Sequence, residues 1–168
     1  DGYEVKPVLL SQERKKRLNG NLMMFFTGFT RFSADVQQFN CSHSAANKTA
    51  LLREMVALVD DAEAILTNEQ ADLDEFGRLL DHTWQLKRRT GAAVSTDCID
   101  ELYAKGMAAG ALGGKLLGAG GGGFLVFYVQ PEYQAAVREA MRDLLYIPFR
   151  FEDGGTRIIY YVPEEKML

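Results

Sequence analysis

The chain has 168 residues, with 23 acidic and 19 basic side chains and a formal charge of −4. A hydrophobic share of 47% against 25% charged residues is that of a globular domain long enough to bury a core without staples. The acidic balance argues against nucleic acid as a main partner, no apolar run is long enough to cross a bilayer, and isolated Cys41 and Cys98 beside only two histidines, His43 and His82, leave no disulfide framework, zinc pattern or histidine-rich metal site, so a reducing, cytoplasmic setting is expected.

Asp1 to Leu10 reads as an extended lead-in, with a turn pair at Asp1-Gly2 and Tyr3, Val5 and Pro7 alternating with polar residues. It opens without an initiator Met, as if mid-structure, and a piece of a longer polypeptide is expected. Ser11 to Gly20 is polar and basic (Arg14, Lys15, Lys16, Arg17), which suits a solvated helix face or loop better than an anion patch. Leu22 to Phe29 is a short continuous apolar run, aromatic-rich as in strands buried on both faces, and it ends in a polar tip, Thr27-Gly28-Phe29-Thr30-Arg31. Ser33 or Asp35 can then start a helix.

Asn47 to Leu66 is helical by period, with Leu51, Met55, Leu58, Ala62 and Ile65 on one stripe and Leu52, Val59 and Leu66 beside it. A second helix carries Leu73, Phe76, Leu80 and Trp84 on one face. Lys87, Arg88 and Arg89 near its end complement the helix dipole, and Gly91 stops it. A third starts at an N-cap, Thr96, runs through Ile99, Leu102, Tyr103 and Gly106, and stops at Gly110. Two strands follow, Lys115-Leu116-Leu117 and Phe124 to Val129. Pro131 opens another helix, which buries Ala136, Val137, Ala140, Met141 and Leu144. Ile147 to Phe151 and Arg157 to Val162 read as closing strands around a hairpin signal, Asp153-Gly154-Gly155. This order predicts an α+β domain: a ferredoxin-like antiparallel sheet with helices packed on one face.

Nine of the 16 glycines lie between Gly106 and Gly123, and five of the six residues from Gly118 to Gly123 are glycine. Such a run leaves backbone N–H groups unshielded, and successive N–H groups can cradle an anion. A Walker-A loop is excluded, because Ala109 and Leu116 stand where it requires glycine and Ser/Thr. Gly118, Gly120 and Gly123 match the spacing of a dinucleotide fingerprint. A strand rather than a helix follows them, however, so the helix N-terminus that would hold a pyrophosphate is missing. A glycine hairpin joining two strands and pressed against a ligand or another phosphate loop fits better than a plain tight turn, which needs only one or two glycines.

Gly114-Lys115-Leu116-Leu117-Gly118-Ala119-Gly120-Gly121-Gly122-Gly123 closely resembles the third motif of the GHMP small-molecule kinases, a family that includes galactokinase, homoserine kinase and mevalonate kinase. Thr27 to Arg31, Leu80 to Lys87 and Gly155 to Tyr161 resemble other stretches of that family. Within it, the likeness is greatest to the D-glycero-D-manno-heptose 7-phosphate kinase group and then to fucokinase domains. The N-terminal phosphate loop of the family is missing. Ser42-His43-Ser44-Ala45-Ala46 echoes it without its glycines, and a helix start suits that stretch better.

The resemblance therefore implies a C-terminal kinase domain over residues 21–168, with residues 1–20 as lead-in strand and linker from an N-terminal domain that grips ATP and Mg²⁺. It implies that Lys115, Gly118, Gly120, Gly121, Gly122 and Gly123 lie against the ATP phosphate loop. Arg31 is the candidate to hold a phosphate on the acceptor sugar, since a guanidinium can pair two oxygens at once. Thr27 and Thr30 are candidates for sugar hydroxyls, with backbone capping the competing role. Asp97, Ser33 and Asp35 suit helix starts, Trp84 and the Met23/Met24 pair suit the core, and neither a general base nor a metal site stands out. The competing readings are a stand-alone α+β binding or regulatory module and a homo-oligomerising structural domain, and a homodimer is kept open for the kinase as well.

Overall fold

The computed structural model describes residues 7–28, 45–91, 94–118 and 122–155. Helix α1 is Gln12–Asn21, strand β1 Leu22–Phe26, α2 Ala45–Thr67, α3 Asp74–Arg88, α4 Asp97–Ala108, β2 Gly113–Leu117, β3 Phe124–Tyr128, α5 Gln134–Ala140 and β4 Leu145–Ile147. A 3₁₀ turn at Pro131–Tyr133 leads into α5. The four strands form one sheet in the order β2-β3-β1-β4, and every neighbouring pair is antiparallel. Each crossover skips one strand, the interleaved arrangement of a ferredoxin-like α+β sheet, as predicted.

The core follows from strand alternation. Met23 and Phe25 of β1, Leu116 of β2 and Leu125 and Phe127 of β3 are buried on one face, against Ile99 and Tyr103 of α4, Val137 of α5 and Trp84 of α3. Gly106 is what lets α4 lie close to the sheet, since a Cβ there would stand 2.5 Å from the Phe127 ring. β1 was expected to be buried on both faces. Instead Leu22, Met24 and Phe26 keep partial exposure, because their side of the sheet is only partly covered among the described residues. On that side Phe26 and Phe124 meet at 5.2 Å, and Phe124, Leu117 and Leu145 are exposed.

Helix α3 runs beside the outer strand β2. Its start touches Gly113, where a Cβ would come within 1.9 Å of the Gly77 carbonyl oxygen, and its end reaches Gly118. The helix thus covers an edge that would otherwise present an unpaired ladder. Gly113 and Gly114 belong to β2 rather than to a loop, because α3 and the Phe127 ring leave no room for side chains there.

The stretch read as lead-in and linker contains α1, which docks rather than floats. Ser11 caps it by accepting from the Arg14 N–H at 3.1 Å, and Leu18 is buried beside Leu73 and Tyr128. The buried Arg14 guanidinium donates to the carbonyls of Ile65 (2.6 Å), Leu66 (2.8 Å) and Ala71 (3.0 Å), satisfying the end of α2. Thr96 caps α4 by accepting from the Ile99 N–H, and Gly110 ends the helix region with a φ of +108°. The last described strand, Leu145–Ile147, overlaps the expected Ile147 to Phe151 only at Ile147, and Met141 and Leu144, expected in the helix before it, follow the end of α5 at Ala140. The helix start at Ser33 or Asp35 and the strand at Arg157 to Val162 lie outside the described residues.

Candidate functional site

The turn between β2 and β3 is a built structure. Leu117 and Phe124 are the last partners in the ladder, so Gly118 to Gly123 closes the pair. Its two ends take left-handed backbone, with φ of +98° at Gly118 and +113° at Gly123, which side chains resist. Thr27, at the end of neighbouring β1, anchors the exit. Its hydroxyl both accepts from the Gly123 N–H at 3.1 Å and donates to the Gly123 carbonyl at 2.9 Å, and its own N–H donates to that carbonyl at 2.9 Å.

Lys87 anchors the entrance. It sits in the last turn of α3 and donates from Nζ to the Gly118 carbonyl at 3.0 Å. Its neighbour Arg88 is fixed by Asp100 at 2.5 Å, and the Asp100 carboxylate also accepts from Ser95 at 2.6 Å. The Thr90 hydroxyl donates to the Lys87 carbonyl at 2.7 Å. Burial, and then the nearby Lys115 ammonium, hold the Lys87 ammonium below the usual lysine range. Lys115 is partly buried in β2, opposite Val126 in register. The two lysines lie on the elements that lead into the glycine turn, and among the described residues neither pairs with a carboxylate.

Of the residues singled out by sequence, Thr27, Lys115, Gly118, Gly122 and Gly123 come together here. Thr27 spends its hydroxyl on the Gly123 main chain, the capping role weighed for it above. Arg31, Thr30, Gly120 and Gly121 lie outside the described residues. Lys87 was read only as a complement to the helix dipole. Its position in a basic helix end is visible in the sequence, but its reach to Gly118, 31 residues on, is not. Asp97 sits in the first turn of α4, and Trp84 is 1% exposed in the core.

Among the described residues, no group of three or more His, Cys, Asp or Glu side chains could hold a metal ion, and no helix is long and apolar enough to cross a membrane. A groove of about 530 Å³ lined by Lys15, Lys16, Asn19 and Arg150 lies at the opposite end of β1 from the turn.

Residues 56–147 match the family model described as "GHMP kinases C terminal". The D-glycero-alpha-D-manno-heptose 7-phosphate kinase of Campylobacter jejuni is 28% identical over 142 residues, covering 82% of this chain and 40% of that protein. The bifunctional fucokinase/GDP-fucose pyrophosphorylase of Arabidopsis thaliana is 26% identical over 145 residues, covering 83% of this chain and 13% of that protein. The crystal structure of the Methanococcus jannaschii mevalonate kinase superposes with a TM-score of 0.67 at 21% identity, over 82% of this chain and 42% of that one, and establishes likeness of fold. The chain thus spans less than half the length of each.

Proposed function

We propose a function from one fixed premise: the chain belongs to the family of GHMP kinase C-terminal domains. In this reading it is one half of an ATP-dependent sugar-phosphate kinase, works with an N-terminal kinase domain of the same polypeptide, and acts on D-glycero-D-manno-heptose 7-phosphate in the cytoplasm. The observation that carries it is the glycine turn, anchored at one end by Thr27 and at the other by Lys87, with Lys115 beside it. Phosphoryl transfer asks a protein mainly for positioning and for positive charge where negative charge develops. A glycine turn fixed at its two ends, with lysines on the elements that lead into it, would supply both.

Gly118 faces open space on this chain, since an added Cβ would meet nothing within 4 Å. That opening suits a surface completed by a companion domain. ATP would bring the transferable phosphoryl group. Mg²⁺ requires oxygen ligands that the described residues do not gather, so the N-terminal domain would hold it. Here Gly118 to Gly123 would lie against the ATP phosphate loop, Lys115 would add charge, and Arg31 with Thr30 would face the acceptor.

The heptose assignment is supported by the Campylobacter jejuni relative. The Arabidopsis thaliana relative supports L-fucose as the second choice. The test is ADP release by the full-length polypeptide given ATP, Mg²⁺ and, separately, heptose 7-phosphate, L-fucose and D-galactose. Turnover on the heptose phosphate is expected, with none from this chain alone. Turnover on L-fucose instead would move the substrate and keep the kinase. No transfer to any acceptor would overturn the reading.

A further inference from the structure

We propose that the exposed face of α2 pairs antiparallel with the same face of a second copy of this chain, about a twofold axis that crosses the helix near Val56. The proposal does not depend on the kinase reading. It starts from the breadth of the apolar surface on α2. Leu51, Met55, Leu58, Ala62 and Ile65 are half-buried, on the side of the helix that packs against α3. Leu52, Val56 and Val59 lie beside that stripe and stay 46%, 68% and 61% exposed. Intervals of four and then three residues stack them in one row along the helix. A helix covered by one neighbour needs only the inner stripe, and its outer face is ordinarily polar.

The charges say what covers the row. No acidic residue stands in the first turn of α2 and no basic residue in its last. Lys48 and Arg53 lie in the first half of the helix, and Asp60, Asp61 and Glu63 in the second. This order runs against the helix dipole, which favours anions at the start and cations at the end. Helix α3 does not answer it. That helix keeps the ordinary order, with Asp74 and Glu75 in its first turn and Lys87 and Arg88 in its last, so the short connection sets the acidic end of α2 beside an acidic start. Among the described residues Arg53, Asp60, Asp61 and Glu63 make no ion pair, while Glu54 meets the exposed His82 at 3.5 Å.

A reversed copy of α2 fits this pattern, because its basic half then lies along the acidic half. With the axis near Val56, Leu52 of one copy stands beside Val59 of the other, Val56 beside Val56, and Arg53 beside Asp60. Twofold symmetry makes each mixed pair twice. A parallel partner would instead set Arg53 on Arg53 and Asp60 on Asp60. Single apolar residues on a surface need no partner. Here three of them share a row, and the charges around that row are complementary to themselves on reversal. The contact is one helix face, smaller than the roughly 1,200 Å² at the low end of standard interfaces, so a dimer that dissociates at about 100 μM is expected.

The test is sedimentation equilibrium of the full-length polypeptide from about 10 μM to 1 mM, without ATP or acceptor, so that mass is read apart from any phosphoryl transfer. The average mass should rise toward twice that of one chain. Val56→Glu, at a position exposed enough to leave the fold intact, should hold the protein monomeric, with circular dichroism unchanged. Arg53→Glu and Asp60→Arg should each weaken association about tenfold, since each turns two exposed attractions into two repulsions. The two changes made together restore both pairs with the signs exchanged, and association should return. Lys105→Glu makes the same charge change on the exposed side of α4 and should leave association as it was. A monomer at every concentration overturns the proposal, whether the face is solvated or covered by a companion domain. A dimer that survives Val56→Glu places the interface elsewhere and overturns it as well. So does an Arg53→Glu/Asp60→Arg double variant that associates no better than either single one.

Discussion

Thr27 shows how a single hydroxyl fixes a loop. It satisfies both the N–H and the carbonyl of Gly123, so the left-handed residue that closes the turn is held from the neighbouring strand. Thr27→Val keeps the shape and removes both side-chain bonds. It should cost about 1–3 kcal/mol, the penalty of leaving a shielded amide unpaired, and should speed hydrogen exchange at Gly123. A urea midpoint and a Gly123 exchange rate equal to those of the unaltered chain would show that the hydroxyl restrains nothing. Tyr128 is a second such residue. Its hydroxyl accepts from Asn21 at 2.8 Å and donates to Asp74 at 3.0 Å, and Gln130 also donates to the Asp74 carboxylate. Burial first, with Asp74 adding to it, pushes the phenol up to about 12 from an ordinary value of 10.0. Raised in the folded state, it contributes stability that is whole below pH 10 and is lost as pH climbs toward about 12. Tyr103, raised by burial and by Asp81, acts in the same direction. Denaturant midpoints between pH 9 and 12 should fall, and Tyr128→Phe should make that fall shallower. An equal slope in the variant would contradict the assignment.

Among the elements, α3 does the most to shape the site, because its start meets Gly113 and its end meets Gly118. Gly113→Ala would drive a Cβ into the Gly77 carbonyl. We expect a loss of about 3 kcal/mol or more in chemical denaturation, and a wild-type midpoint would mean that α3 does not lie where it is drawn. Arg14→Ala should also cost about 3 kcal/mol, since two carbonyls at the end of α2 and that of Ala71 just beyond it lose their donor together. A variant as stable as the unaltered chain would show that water replaces the guanidinium without penalty. These contacts also mark where sequence reading stops. The stripe Leu51, Met55, Leu58, Ala62 and Ile65, the Thr96 cap, the Gly110 stop and the paired strands around the glycine run were legible because each is a local rule of period, capping or turn chemistry. The docking of α1 was not, because a polar, basic segment gives no local sign that Arg14 will be buried against carbonyls more than 50 residues away. The strand read as Lys115-Leu116-Leu117 starts two residues earlier, at Gly113, for a related reason: the partner surfaces of Gly113 and Gly114 come from α3 and β3. Lys87 was visible as a charge and invisible as a contact.

At the scale of the whole molecule, the strand order puts the ends of β1 and β2 and the start of β3 at one rim, and α3 ends at the same rim. Thr27, Lys87, Lys115 and the glycine turn meet there because four elements deliver them, not because the residues are near in sequence. The opposite side of the sheet keeps Phe26 and Phe124 partly open, and Leu117 and Leu145 lie exposed beside them. Among the described residues one face of the sheet is thus spent on the core, while Leu117, Phe124 and Leu145 on the other stay exposed. The turn is then the part whose geometry transfer should feel most. Gly123→Ala forces a side chain into a φ of +113° and displaces the turn while leaving the core residues untouched. The most direct measurement is the rate of ADP release by the full-length polypeptide with heptose 7-phosphate, with and without Gly123→Ala, both forms shown to be folded by circular dichroism. A fall in kcat of about 100-fold, the effect of misplacing reacting groups by roughly 1 Å, is the expected result. An unchanged kcat and KM in a folded variant would mean that the turn takes no part in phosphoryl transfer.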